Sequence, residues 1–261
     1  MPEIYVQRDN LDEANAAFAQ APLHRPVFLN SVPKSGSHLL RNILRMFVPV
    51  EQQYSADFIQ WPNLRQHLAA FDPVSPMLSW GHLFFADGPA IATAEARRIL
   101  LYRDPYDWVL ARARFILSDQ FEGDLDHLRS DKITTDELLT MMIFGLPRTL
   151  PSLNDIYELN AAAWLGTNCF VVTYEKLVHH LADLGHAEAK LFFSSLLDAC
   201  GISLPDDWRE RVRLGADRKE SATARERLTG QIEDLPERLG DRHRALVDYQ
   251  APGLRAILGY E

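Results

Sequence analysis

Cysteine is scarce in this chain of 261 residues: Cys169 and Cys200 are the whole supply, and they have no metal-type spacing. Cys169 lies in an apolar run and reads as a buried reduced thiol, which favours a reducing compartment. Basic charge is also short, with 27 Lys+Arg against 36 Asp+Glu and a net charge of −9. That argues against broad nucleic-acid binding, which needs a basic face, but leaves room for a local basic pocket. No apolar run approaches ~18 residues, and no basic segment followed by an apolar one opens the chain, so neither a membrane span nor a signal peptide is expected. The chain reads as cytoplasmic. Metal motifs are missing as well. His179, His180 and His186 have no i,i+4 pair among them, and the acidic stretch from Phe121 to Asp131 lacks the spacing of an EF-hand loop. No G-x-x-x-x-G-K-[ST] is present, so there is no Walker A loop.

What is present is ordinary for a globular chain, 47% hydrophobic and 24% charged. Its organising stretch is VFLNSVPKSGSHLLRNIL, Val27 to Leu44. Val27 to Val32 is a short apolar run with two polar residues near its end, which suits a buried strand. Pro33, Ser35, Gly36 and Ser37 break the pattern, and Leu39, Leu40, Ile43 and Leu44 then recur at helical spacing. A strand, a small-residue loop carrying Lys34 and a helix N-terminus make an anion site, because free N–H groups and the positive end of the helix dipole face the loop. Gly36 lets the backbone close on a phosphate. On the loop alone, an ordinary turn with a solvated lysine is an equal reading.

A second stretch has the same form. RILLY, Arg98 to Tyr102, reads as a buried strand; Arg103, Asp104 and a helix-opening Pro105 follow, and the helix runs on through Trp108, Val109, Ala113 and Phe115. With PKSGS in one strand–turn–helix and YRDPYDWVLA in another, the chain resembles the sulfotransferases that use 3′-phosphoadenosine-5′-phosphosulfate (PAPS). The resemblance continues in SWGHL around His82, in FVVTYEKL, and in the Arg218–Lys219 pair.

It implies an α/β fold: three layers, α/β/α, around a mostly parallel sheet, of the P-loop NTPase-like sulfotransferase type, in a single domain spanning residues 1–261 with a peripheral N-terminal helix in residues 1–22. It implies transfer of a sulfuryl group from PAPS, leaving PAP, to a hydroxyl or amine of an acceptor, expected to be a small molecule. Lys34 and the amides of Ser35, Gly36, Ser37 and His38 would hold the 5′-phosphate. Arg103, Arg218 and Lys219 would hold the 3′-phosphate, Tyr174 would lie near adenine, and His82 would be the base, with an ordinary histidine pKa suited to neutral pH. No metal is required, since cationic side chains neutralise the transferring group. The sequence departs from the family pattern at Leu39, Trp80, Ala111 and Glu220. They stand for a tryptophan, a lysine, a serine and a glycine, in that order. Two rivals remain: a P-loop kinase-like enzyme using a nucleoside triphosphate, and a nucleotide-binding protein of the same fold without catalysis. Neither the acceptor nor the oligomeric state can be read from the sequence.

Elsewhere, Leu11, Ala14 and Phe18 suggest a short helix, and Trp61, Leu64, Leu68 and Phe71 an amphipathic one. Thr134 with Glu137 fits a capping box opening a helix through Ile143. Asn154–Leu165 and Lys190–Cys200 read as helices, the second with Leu191, Leu196 and Leu197 partly buried and ended by Gly201. Cys169–Thr173 reads as a strand.

Overall fold

The computed structural model describes residues 3–4, 9–55, 58–118, 121–122, 128, 133–220 and 235–261. Most of the acidic stretch after Phe121, and the basic residues Arg225 and Arg227, lie outside the described residues. The described strands are β1 (Glu3–Ile4), β2 (Val27–Ser31), β3 (Ile59–Gln60), β4 (Leu78–His82), β5 (Arg97–Tyr102), β6 (Phe121–Glu122) and β7 (Cys169–Thr173). The helices are α1 (Leu11–Asn15), α2 (Ser37–Arg45), α3 (Asp87–Ala92), α4 (Pro105–Ile116), α5 (Thr135–Phe144) and α6 (Leu153–Tyr157). They continue with α7 (Ala163–Leu165), α8 (Tyr174–Ala182), α9 (Ala187–Cys200), α10 (Trp208–Gly215), α11 (Asp241–Gln250) and α12 (Leu254–Ile257).

The chain divides into two compact units, one of residues 8–102 with 159–222, the other of residues 1–7, 103–158 and 223–261. The first holds a five-stranded sheet in the order β3-β4-β2-β5-β7, every pairing parallel. Parallel strands need crossovers and coverage on both faces, which is why β2 is buried at all five positions instead of alternating. On one face Val27, Leu29, Trp80, Ile99, Leu101 and Val172 join a core with Leu40, Ile43 and Leu44 of α2, Phe193, Leu196 and Leu197 of α9, and Trp208 and Val212 of α10. On the other, Phe28 meets Phe71 edge-on at 5.2 Å. This is the expected mostly parallel sheet with helices on both sides. Among the described residues no helix is long and apolar enough to cross a membrane.

Two local features hold this unit together. Arg45 of α2 donates to Asp9, Asp12 and Gln53, which ties the N-terminal segment to α2. In α10, a Cβ on Gly215 would come within 2.6 Å of the Ile43 Cα, so the two helices cross at a distance only glycine permits.

In the second unit, Trp108 of α4 and Tyr157 are both fully buried and meet edge-on at 5.4 Å. Thr134 and Glu137 form the expected capping box at the start of α5. Arg255 forks onto Asp104, the N-cap of α4, at 3.1 and 2.9 Å.

Three expectations change. The stretch Trp61–Phe71 is a 3-10 helix broken at His67, with Trp61 and Leu68 half exposed, so its apolar residues do not share one buried face. Leu191 is 68% exposed, on the outer side of α9. Residues 154–165 do not form one α-helix, because Glu158–Ala162 winds as a π-helix. The extra residue in that turn carries Asn160 inward, where it is fully buried and donates to Asn30 at 3.2 Å and to the carbonyl of Leu83 at 3.3 Å.

Candidate anion site and its histidine

At the end of β2 the chain turns through two left-handed residues, Lys34 at φ 67° and Gly36 at φ 92°. A positive φ is ordinary for glycine but strained for lysine, and here it curls the loop into the start of α2. The first backbone bond back into that helix comes from the Leu40 N–H to the Gly36 carbonyl at 3.1 Å. The N–H groups of Ser37, His38 and Leu39 therefore have no acceptor within the helix, whereas the Ser35 N–H donates to the Val32 carbonyl at 3.2 Å. No carboxylate occurs in Pro33–His38. Ser35 is fully buried and its hydroxyl has no hydrogen-bond partner among the described residues; the Nδ1 of His38 is likewise buried and without a described partner. Donors without acceptors, at the positive end of a helix, are what an anionic group requires. The loop fits a phosphate.

Tyr174, the first residue of α8, lies on this loop. A Cβ built on Gly36 would fall 2.6 Å from the Tyr174 Cδ2. Gly36 is thus demanded twice, by its φ and by the ring against it.

His82 closes β4 on the neighbouring strand. Its Nδ1 lies 2.7 Å from the carbonyl oxygen of Ser31, which can only accept, so Nδ1 carries the proton. The neutral ring then presents a lone pair at Nε2, to which no described residue is bonded. The Ser31 hydroxyl lies 3.2 Å from the same Nδ1 and 2.7 Å from the Ser37 hydroxyl. Behind the ring, Leu83 and Asn30 exchange hydrogen bonds, at 2.8 and 3.1 Å, and the Trp164 Nε1–H donates to the Leu83 carbonyl at 2.9 Å. The residue before the histidine must be glycine, because a Cβ at position 81 would overlap the Ile59 carbonyl of β3.

The expectation of an ordinary histidine pKa is corrected. Burial pushes His82 down to about 4, assisted by the Lys34 ammonium, while its bond to the Ser31 backbone pulls the other way. His38 is pushed to about 3, first by burial and then by Lys34 and Arg41. Both rings are neutral at pH 7. Trp80, where the family has a lysine, is a core residue: it packs edge-on to His38 at 4.9 Å and carries the Arg41 guanidinium over its ring at 5.0 Å.

The remaining candidates lie on other elements. Arg103 directly follows β5, and its carbonyl accepts from the Tyr157 hydroxyl at 2.9 Å. Arg218 and Lys219 are exposed on a 3-10 turn after α10, which is pinned to α2 by the Asn42 side chain donating to the Glu220 carbonyl at 3.0 Å. Ala111 is 4% exposed. Its neighbour Arg112 is committed to the protein: its guanidinium donates to the carbonyls of Met142 and Pro151 and lies over Trp108 at 4.8 Å.

Ser31, Asn30 and Asn160 belong to no motif in the sequence. The only signal was the pair of polar residues near the end of an otherwise apolar strand. No protein-family model matches this chain, and no curated protein matches it in sequence. Among solved structures the fold is similar to that of mouse sulfotransferase SULT7A1 complexed with PAP, with a TM-score of 0.60 and 14% identity over 95% of this chain and 92% of that one.

Proposed function

We propose that this chain is a PAPS-dependent sulfotransferase acting on a hydroxyl or amine of a small acceptor. The observation that carries the reading is the pairing of a donor-only anion loop with a histidine held as its Nδ1–H tautomer on the adjacent strand. The fold shared with a protein complexed with PAP favours PAPS over a nucleoside triphosphate as the loop's ligand.

The donor supplies the sulfuryl group. Lys34 and the N–H groups of Ser35, Gly36, Ser37 and His38 bind its 5′-phosphate, and the lysine stabilises the charge left on that phosphate oxygen when its bond to sulfur breaks. Arg103, Arg218 and Lys219 are assigned to the 3′-phosphate and Tyr174 to the adenine side, as in the family that the motifs resemble. His82 takes the acceptor's proton at Nε2 while the acceptor oxygen or nitrogen bonds to sulfur. His38, neutral at pH 7, contributes no charge. With lysine and arginine neutralising the phosphates, no metal is needed, and turnover should survive EDTA.

The test is thermal stabilisation by PAP, ADP and AMP. A ligand at a hundred times its dissociation constant adds ~2.7 kcal/mol. PAP should stabilise more than ADP, and Arg103→Ala should erase the difference. Equal stabilisation by PAP and ADP in the unmodified protein would overturn the assignment. A strict magnesium requirement for turnover would favour a kinase-like enzyme.

A further inference from the structure

We propose that Ser31 is a positioning residue that reports occupancy of the loop to His82, through a hydrogen-bonded chain running from Ser37 to Ser31 to the histidine. This rests on the reading of the loop as an anion site. The Ser37 and Ser31 hydroxyls are 2.7 Å apart, and the Ser31 hydroxyl is 3.2 Å from the His82 Nδ1. Both serines are buried, Ser31 fully. Ser31 also contributes its carbonyl, 2.7 Å from the same nitrogen, so the histidine proton is shared between two atoms of one residue.

The direction of the chain depends on what Ser37 does. The Ser31 hydroxyl has two acceptors within reach, the Ser37 oxygen at 2.7 Å and the Gly81 carbonyl at 3.3 Å. Ser37 is the first residue of α2, at the loop's anion-binding end. With an anion in the loop, the Ser37 O–H donates to it and the Ser37 oxygen becomes an acceptor. The Ser31 O–H then turns to Ser37, and its lone pair is left facing the His82 Nδ1–H. Every bond now points one way, from histidine to Ser31 to Ser37 to anion, and each polarises the next. The Nδ1–H is held more firmly and Nε2 becomes a stronger proton acceptor. Without an anion, Ser37 can donate back to Ser31, the chain loses its direction, and the ring keeps only the carbonyl bond in full.

The arrangement answers a chemical need. A histidine in this pocket is a poor base while the loop is empty, because burial and Lys34 both oppose its protonation. Coupling its basicity to the donor's phosphate confines proton abstraction to the loaded enzyme. The described titratable groups that face His82 are Lys34 from the loop and His38 from α2; β4 contributes Trp80 and the segment before β3 contributes Phe58, both uncharged. An anion also raises the His82 protonation constant directly, by its charge. The relay is the part of that rise that needs the serine hydroxyls.

The experiment is ¹⁵N NMR of His82 through a pH titration, with and without PAP, and again with inorganic pyrophosphate, in the unmodified protein, in Ser31→Ala and in Ser37→Ala. The unmodified protein should show the Nδ1–H tautomer throughout. PAP should raise the His82 protonation constant at least about threefold more than it does in Ser31→Ala. Ser37→Ala, which breaks the other link while leaving the Ser31 hydroxyl beside the histidine, should lose the same increment once saturated. If PAP binds, as seen in the loop amide shifts, but raises the constant equally in all three proteins, the relay is wrong and the anion site stands. If neither probe shifts the loop amides, both readings fall.

Discussion

The ring of Tyr174 occupies the space that a side chain on Gly36 would need, with the Tyr174 Cδ2 2.6 Å from the position of a Cβ. The loop's glycine and the tyrosine after β7 are therefore one steric unit, though they are far apart in sequence. Gly36→Ala should suffer from two causes that can be separated. The left-handed φ of 92° costs an alanine ~1–2 kcal/mol, and the clash adds to it. Adding Tyr174→Ala should remove the clash and leave the φ penalty. Denaturant unfolding of both single variants and the double would show it: the double should be destabilised by about 1 kcal/mol or more less than the sum of the singles. Strict additivity would mean that the ring simply moves aside.

Arg112 offers a second separation. Its guanidinium is buried, holds the Met142 and Pro151 carbonyls, and is pushed down to about 9 by burial alone. Arg112→Ala removes those bonds and the cover over Trp108, so a loss of ~3 kcal/mol or more is expected. The ratio of PAP to ADP affinity, measured by calorimetry on the folded fraction, should not change. A variant of near-normal stability that has lost its PAP preference would mean that Arg112 serves the ligand instead.

The two strand–turn–helix stretches, the strand Cys169–Thr173 and the capping box of α5 were legible in the sequence because each is set by neighbours in the chain. A strand with a small-residue turn after it, or a threonine three residues before a glutamate, needs no partner from afar. The rest of the site is set by pairs of distant residues. Nothing local in NSV shows that Asn30 will hold Leu83 or that Ser31 will meet His82, across separations of 53 and 51 residues. The π-turn that brings in Asn160 is invisible for the same reason: its apolar spacing reads as an ordinary helix, and only the fixed position of the Leu83 carbonyl draws the extra residue inward. The ordinary pKa expected for His82 failed because burial cannot be seen from residue type.

Glu220, where the family has glycine, has work of its own here. Its carboxylate accepts from the Asn10 N–H at 2.6 Å, and its carbonyl accepts from Asn42 at 3.0 Å. The turn bearing Arg218 and Lys219 is thereby tied to α2 by the main chain and to the N-terminal segment by the side chain. Glu220→Gly breaks only the second tie, so about 1 kcal/mol of stability should be lost with little change in PAP affinity. Asn42→Ala breaks the first. If Arg218 and Lys219 hold the 3′-phosphate, it should lower PAP affinity a few-fold and leave ADP affinity alone. Calorimetric titration of both variants with both nucleotides decides it; an equal loss for PAP and ADP in Asn42→Ala would detach the turn from the 3′-phosphate.

The two neutral histidines make a prediction about acid. His82 is held at about 4 and His38 at about 3, both below the ordinary 6.5, chiefly by burial. In the unfolded chain each takes up a proton near pH 6.5, while the folded chain refuses it. Below that pH the unfolded state binds more protons, so stability falls as pH falls. The contribution is whole above about pH 6.5, is lost progressively as the pH drops, and levels off below the folded-state values. Each pH unit within that window is worth up to about 1.4 kcal/mol per histidine, less whatever their partial exposure allows solvent to relieve. Carboxylates stay largely ionised down to about pH 5, so the interval from about 6.5 to 5 isolates the histidines. Urea unfolding across it should show a steady loss in the unmodified protein. The loss should be shallower in His82→Asn and shallower again when His38→Asn is added. Anion binding should blunt it too, since an anion in the loop raises the folded-state protonation constant of His82 and narrows the gap with the unfolded chain. Identical slopes in all the proteins would mean that both rings reach solvent and titrate normally, and His82 would then have no need of a phosphate to become a base.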